Sequence, residues 1–141
     1  MADEGGMLTY LTIVLSLAIN PPADFNPRQI LDAIRAVETG GQRDPANAIG
    51  DGGKALGPYQ IHKVYWLDAV QRDPSLTANG ETYDNVRDAA YAERVMLAYW
   101  SRYAPSYDHE TLARIHNGGP RGHKVKGTLG YWEKVKAKLG R

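Results

Sequence analysis

The sequence predicts a mainly helical α+β fold with one small lobe of loops and short strands. Apolar residues recur at helical spacing in several separate segments. A glycine-rich stretch from Gly40 to Gly57 shows no strong alternation and leaves room for a β-hairpin. The 141 residues are enough for one core and too few for two domains. We therefore expect a helical lobe joined to a smaller loop or β-hairpin lobe.

The helices are predicted in order from their caps and their apolar faces. Asn26 is a favoured cap, Pro27 takes the first helical position, and Gly40 with Gly41 ends this first helix. The other predicted helices cover residues 61–72, 84–103 and 109–115 and the segment after Thr128. The loops between them carry the Asp-Pro and Gly-Gly pairs that commonly end helices.

The N-terminus is predicted to be separate from the functional domain, with residues 1–22 as one segment and 23–141 as the other. The run from Met7 to Ala18 is apolar and uncharged, but it is shorter than the roughly 20 residues needed to cross a bilayer. We therefore expect no stable membrane span. Its length is that of a signal-peptide core, although acidic rather than basic residues precede it. A helix packed on the domain is the alternative.

Composition excludes several kinds of function. The net charge of +1 does not favour a strongly cationic nucleic-acid binder, and no nucleic-acid partner is expected. Because the chain has no cysteine, disulfides, thiol nucleophiles and thiolate metal sites are excluded. The 4 histidines lack the spacing of metal ligands on a helix, so we predict neither a metal nor a cofactor.

Glu38 falls in the last turn of the first predicted helix, which is an unfavourable place for a negative charge. The helix dipole and the free carbonyl oxygens disfavour the carboxylate there, and partial burial against Val37 would add a desolvation cost. Both effects raise a carboxyl pKa, which keeps a general acid protonated near neutral pH. Asp44 and Asp51 are candidates for a second, solvated carboxylate. The alternative is a solvated glutamate followed by ordinary Asp-Pro and Asp-Gly turns.

Two further segments carry groups that suit a carbohydrate ligand. GPYQIHKVYWLDA combines the Gln60 amide with the aromatic rings of Tyr59, Tyr65 and Trp66. Aromatic rings stack on the C–H faces of sugars, while amides bind hydroxyl and N-acetyl groups. At least one of Tyr65 and Trp66 is expected to belong to the core instead.

ARIHNGGPRG places His116 and Asn117 before two glycines and a proline, which predicts polar side chains on a rigid, open loop. By itself, His116 is interpreted more readily as a hydrogen-bonding residue than as a catalyst. A Ser–His hydrolase is not favoured, because the chain lacks a serine in an elbow-type sequence.

Five segments occur in order along the chain, namely ETGG at 38–41, DGGKALGPYQI at 51–61, YW at 65–66, HNGGP at 116–120 and TLGYWEKV at 128–135. Together they resemble the invertebrate-type (destabilase) lysozyme family. Members of that family are usually rich in disulfides, whereas this chain has no cysteine. The resemblance is therefore that of a distant relative, and a bacterial or phage origin is expected. The resemblance implies a lysozyme-like fold with a cleft between a small and a helical lobe. It also implies hydrolysis of the β-1,4 bond between N-acetylmuramic acid and N-acetylglucosamine.

By position, the resemblance implies that Glu38 is the general acid and Asp51 the second carboxylate, with Asp44 as the alternative. It implies a substrate-binding cleft lined by Tyr59, Gln60, His116 and Asn117. The expected partners are peptidoglycan glycan strands, with chitin-type oligosaccharides as a further candidate, and the expected location is secreted, periplasmic or in the cell envelope. Isopeptidase activity is not expected, because the GGK that follows Asp51 contains no serine.

Two other functions fit the same residues. The glutamate and the KALGPYQI segment are also similar to lytic transglycosylases, which use one glutamate and release an anhydro sugar. A catalytically silent glycan-binding protein is the second alternative. Basic residues near the C-terminus are interpreted as a solvated helix face, or else as an attraction to an anionic cell wall. They are Lys124, Lys126, Lys134, Lys136, Lys138 and Arg141.

Overall fold

A computed structural model describes residues 21–40, 44–104 and 106–141. The apolar run from Met7 to Ala18 and the predicted stop residue Gly41 lie outside the described residues. The predicted boundary between residues 22 and 23 stays a prediction. In the part of the chain that is described, no helix combines the length and the apolar character that crossing a membrane requires.

The larger lobe consists of helices. Short 3-10 segments connect several of them, and Tyr83–Arg87 is the longest of these in the described ranges. The described α-helices are α1 (Pro27–Thr39), α2 (Lys63–Arg72), α3 (Ala89–Tyr103), α4 (His109–Gly118) and α5 (Leu129–Lys138). The mainly helical fold class predicted from the sequence is confirmed.

The small lobe is a three-stranded antiparallel sheet between α1 and α2. Its strands are β1 (Ile49–Gly50), β2 (Ala55–Leu56) and β3 (Ile61–His62), in the order β1-β2-β3. Ile49 is opposite Leu56, and Ala55 is opposite His62. The predicted lobe of loops and short strands is therefore present, and its strands are only two residues long.

The first helix has the predicted start and end. Asn26 Oδ1 accepts a hydrogen bond of 2.9 Å from the Arg28 backbone N–H, which satisfies one of the free donors at the helix start. Gly40 adopts the left-handed conformation, with φ 53°, and its N–H donates to the Ala36 carbonyl at 3.2 Å. These two local signals fix where Glu38 lies, in the last turn of α1.

Three predicted helix boundaries are wrong. The helix predicted at 61–72 begins at Lys63, because the two residues before it pair with β2. The helix predicted at 84–103 begins at Ala89, since Asp88 caps it by accepting from the Tyr91 N–H at 2.9 Å. The helix predicted at 109–115 continues to Gly118. His116 and Asn117 consequently lie in the last turn of α4 and not on an open loop.

The core lies between the helices, where α1 packs against α5 and α2 packs against α3. Many of its members have no solvent exposure, and each buried aliphatic side chain contributes about 1.5–3 kcal/mol. Tyr65 also belongs to the core and stacks on Tyr99, with ring centroids 3.7 Å apart. This confirms that one of the two aromatic residues at 65–66 is structural. Fully buried members include Ile30, Ile34, Met96, Leu112, Ile115 and Val135.

Candidate active site

A cavity of about 460 Å³ lies where the C-terminal end of α1 meets the small lobe and one side of α4 and α5. It therefore occupies the cleft between the two lobes. The predicted site residues that line it are Glu38, Asp51, Gln60, His116 and Asn117. A cavity of about 510 Å³ next to Phe25, Leu97 and Tyr107 has none of the predicted site residues in its described lining.

The Glu38 carboxyl group is a protonated acid at mildly acidic pH. Burial raises its pKa to about 7 from an ordinary value of 4.5. Two groups on α5 oppose this shift, namely the Tyr131 hydroxyl and the Lys134 ammonium. The Tyr131 hydroxyl approaches the carboxyl without reaching hydrogen-bond geometry, since it has no hydrogen-bond partner among the described residues. Glu38 thus has the properties of a general acid that works near neutral pH.

Asp51 lies across the same cavity in a different environment. It directly follows β1, at the start of the 3-10 segment Asp51–Gly53, and its φ of 52° is one that aspartate tolerates better than most residues. Its side chain is 67% exposed, and its Oδ2 lies 3.2 Å from His62 Nε2. One carboxyl group is therefore buried and the other is solvated, as general acid and second carboxylate would require.

Asp44, the alternative second carboxylate, does not line this cavity. It precedes the 3-10 segment Pro45–Asn47, and its Oδ2 accepts a hydrogen bond of 2.7 Å from Asn47 Nδ2. This bond is the local one expected of aspartate in a turn. Of the two candidates named from the sequence, only Asp51 shares the cavity with Glu38.

His116 connects α4 to the small lobe and to α2. Its Nε2 lies 2.9 Å from the Tyr59 carbonyl oxygen, which can only accept, so Nε2 carries the proton. Nδ1 then accepts from the Tyr65 hydroxyl at 3.1 Å. Burial lowers the pKa of His116 to about 4, despite the opposing effect of the Tyr59 carbonyl. The ring is therefore a neutral, fixed part of the cavity wall.

Gln60 has a left-handed backbone, with φ 50°, and its amide holds the small lobe together. Nε2 donates to the Gly57 carbonyl at 2.9 Å and to the Ala48 carbonyl at 3.3 Å. Both amide hydrogens are thereby used within the lobe. Oε1 packs so closely on Gly50 that a Cβ built there would lie 2.1 Å away. Only this oxygen remains for a ligand, as an acceptor.

Tyr59 does not line the cavity, contrary to its predicted place in the sugar cleft. Its ring is fully buried, and its hydroxyl donates to Glu93 Oε2 at 2.5 Å. The same oxygen accepts from Arg28 Nη2 at 2.6 Å. The side chain therefore joins the small lobe to α1 and α3. Only the Tyr59 carbonyl contributes to the site, by holding His116.

Three polar lining residues were not predicted as site residues, namely His62, Tyr131 and Lys134. Tyr131 lies in the helix predicted after Thr128, and Lys134 belonged to the basic cluster that was interpreted as a solvated helix face. Both lie in the TLGYWEKV segment that carries the resemblance, and their three-residue spacing places them on one face of α5. That spacing was visible in the sequence, but the packing of α5 beside the end of α1 was not.

Comparison with known proteins agrees with this geometry. Residues 28–138 match the destabilase family, so the chain belongs to that family. The lysozyme of Magallana gigas is 40% identical over 85 residues, which cover 57% of this chain and 58% of that protein. Lysozyme 1 of Crassostrea virginica is 36% identical over 87 residues, which cover 59% of this chain and 44% of that protein. The chain thus spans about half the length of these relatives.

The fold is also that of a lysozyme of known structure. The crystal structure of Tapes japonica lysozyme superposes with a TM-score of 0.65 at 29% sequence identity. The superposition covers 77% of this chain and 87% of that one. The lysozyme-like fold implied by the sequence resemblance is therefore confirmed.

Proposed function

We propose that this protein is a glycoside hydrolase of the muramidase type, which cleaves the β-1,4 bond between N-acetylmuramic acid and N-acetylglucosamine in peptidoglycan. The observation that carries the proposal is the buried Glu38 carboxyl, with its pKa raised to about 7, in one cavity with the solvated Asp51. The names of the related lysozymes support the same reaction. A cell-wall substrate requires the protein to act in the cell envelope or outside the cell.

In the proposed reaction, Glu38 donates its proton to the glycosidic oxygen as the C1–O bond breaks. The bonding electrons leave with that oxygen, and the sugar ring develops the positive charge of an oxocarbenium ion. Asp51 stabilises this charge or forms a bond to C1. Water then adds to C1 and returns a proton to Glu38, so the product carries a new reducing end.

The rest of the cavity wall fits the binding of a polar chain. Gln60 offers Oε1 as an acceptor, and Asn117 offers an exposed amide at the end of α4. His116 forms part of the wall as a neutral ring. We assign these three residues to substrate binding and leave Tyr59 out, because its side chain is buried elsewhere.

The two alternatives make different products. A lytic transglycosylase needs a single glutamate, and the presence of Asp51 in the same cavity as Glu38 favours the hydrolase. A silent glycan-binding protein has no need of an acid whose pKa burial raises. Neither alternative uses both carboxyl groups.

The test is mass spectrometry of the fragments released from purified peptidoglycan. The hydrolase releases fragments ending in reducing N-acetylmuramic acid, and Glu38→Gln abolishes their release without changing the fold. Glu133→Gln is the matched control, since Glu133 is exposed on α5 and does not line the cavity. Anhydro-ended fragments would identify a transglycosylase. Binding to the wall without any release would identify a silent binder.

A further inference from the structure

Tyr131 places a buried hydroxyl in the wall of the cavity. Its hydroxyl is buried and has no hydrogen-bond partner among the described residues. Buried hydroxyls are almost always paired, because an unpaired one loses its bonds to water and gains nothing. Tyr131 also lines the cavity that contains Glu38. The wall of this cavity therefore contains a buried O–H donor.

Lys134 lies one helical turn further along α5 and lines the same cavity. None of the ion pairs in the described ranges includes it. Among the described residues that line the cavity, it is the only lysine or arginine. Its ammonium group therefore brings to the cleft a positive charge that takes part in no ion pair among the described residues.

The Tyr131 hydroxyl and the Lys134 ammonium both interact with the Glu38 carboxyl, since each lowers its pKa. The other titratable groups around the cavity are Tyr65 on α2, His116 on α4, and Asp51 with His62 in the small lobe. While Glu38 is protonated, as its raised pKa ensures below about pH 7, it presents no anion to Tyr131 and Lys134. The two donors are then free for an anion from outside.

We propose that Tyr131 and Lys134 form a subsite that binds a carboxylate of the muramyl residue. The Tyr131 hydroxyl and the Lys134 ammonium each donate one hydrogen bond to that carboxylate. The subsite rests on the proposed function and specifies its substrate further. N-acetylmuramic acid differs from N-acetylglucosamine by a lactyl ether that ends in a carboxyl group, so the subsite distinguishes cell-wall glycan from chitin.

The ligand carboxylate has two chemical sources. In bare glycan, the lactyl carboxylate itself is free. In intact peptidoglycan the lactyl carboxyl is an amide, and the stem peptide supplies carboxylates of its own. Both present the same charge and the same acceptor oxygens, which a hydroxyl and an ammonium bind equally well.

The experiment measures binding by calorimetry in the Glu38→Gln background, which prevents turnover and removes the titrating carboxyl. The probes are a bare tetrasaccharide of alternating N-acetylglucosamine and N-acetylmuramic acid, and chitotetraose. We expect Tyr131→Phe and Lys134→Met each to weaken binding of the bare muramyl tetrasaccharide about 5- to 20-fold. Binding of chitotetraose should stay unchanged. Lys134→Arg should retain most of the affinity for the muramyl ligand.

Lys138→Met is the matched control, because Lys138 lies one turn beyond Lys134 and lines two neighbouring cavities but not this one. Thermal unfolding of each variant checks that the fold persists, and Lys134→Met changes only an exposed side chain. An equal loss of affinity for the muramyl ligands and for chitotetraose, or no loss of affinity for any muramyl ligand, would overturn the proposal.

A third probe, the same tetrasaccharide with its stem peptides attached, identifies the source of the carboxylate. Loss of affinity for the bare glycan alone assigns the lactyl carboxylate, and loss for both muramyl probes assigns the stem peptide as well. Binding needs no catalysis, so this result is independent of the proposed reaction. The wild-type protein could release no fragments and still bind the muramyl ligands more tightly than chitotetraose. That result would contradict the proposed reaction and support the subsite.

Discussion

His116 and Tyr59 join the two lobes through one hydrogen bond, in which His116 Nε2 donates to the Tyr59 carbonyl oxygen at 2.9 Å. The bond links the last turn of α4 to the backbone just before β3. The Tyr65 hydroxyl completes the arrangement by donating to Nδ1 at 3.1 Å. A histidine that the sequence suggested for substrate binding therefore also holds the cleft in shape.

Replacing His116 with leucine should destabilise the protein and should not merely weaken activity. The substitution leaves the Tyr59 carbonyl and the Tyr65 hydroxyl without partners, which costs about 2–4 kcal/mol of unfolding free energy at pH 7. His116→Gln should recover part of this loss, because its amide can still donate to the Tyr59 carbonyl. Urea titrations measure both values. Equal stability of the leucine variant and the wild type would contradict the assigned bonds.

The same histidine makes wild-type stability depend on pH. Its pKa of about 4 in the folded protein lies below the ordinary 6.5, so the unfolded chain binds the proton first as the pH falls. The stabilising contribution is complete above pH 6.5 and is lost towards pH 4, by about 1–3 kcal/mol. The difference between wild type and His116→Leu should therefore narrow over this window.

The sequence was sufficient to place Glu38, because its position depends on local signals. The Asn26 cap and the Gly40 stop fix the length of α1, and both act within a few residues of the chain. The glycine-rich small lobe was predictable for the same reason, since its turns require residues that tolerate unusual backbone angles. Signals within a few residues of the chain were therefore enough to predict the position of Glu38 and the presence of the small lobe.

The sequence was not sufficient to predict which side chains line the cleft where this depends on packing between segments that are distant in the chain. Tyr59 is drawn away from the cleft by Glu93 and Arg28, which lie in two different helices. Tyr131 and Lys134 enter the cleft only because α5 packs against α1. The residue spacing within one segment predicts neither the contact of Tyr59 with Glu93 and Arg28 nor the packing of α5 against α1.

Gly57, in the GPYQI segment, should not tolerate a side chain. Its φ is +79°, and a Cβ built there would lie 2.5 Å from the Val86 carbonyl oxygen, which is part of the rigid backbone. Gly57→Ala should therefore cost about 2–4 kcal/mol through strain and displacement of the small lobe. Gly130→Ala is the control, since nothing lies within 4 Å of its Cβ position in α5. That change should stabilise the protein by about 0.5–1 kcal/mol.

Asp51→Asn should reduce turnover of peptidoglycan by about 100-fold or more while the fold is retained. The carboxylate charge is lost, but asparagine tolerates the same left-handed backbone, and the side chain is largely exposed. Asp44→Asn is the matched control and should remain near wild-type activity, because Asp44 does not line the cavity. Fragment release, followed over time, measures both. Full activity of Asp51→Asn would instead favour a reaction that uses Glu38 alone.

Activity should fall as the pH rises through about 7, because Glu38 must be protonated to act as the general acid and its pKa is raised to that value by burial. Tyr131 and Lys134 both lower this pKa, so removing either raises it. Tyr131→Phe and Lys134→Met should therefore shift the alkaline limb of the kcat/KM profile to higher pH. Lys138→Met should leave it in place. A shift to lower pH in either variant would show that another group controls this limb.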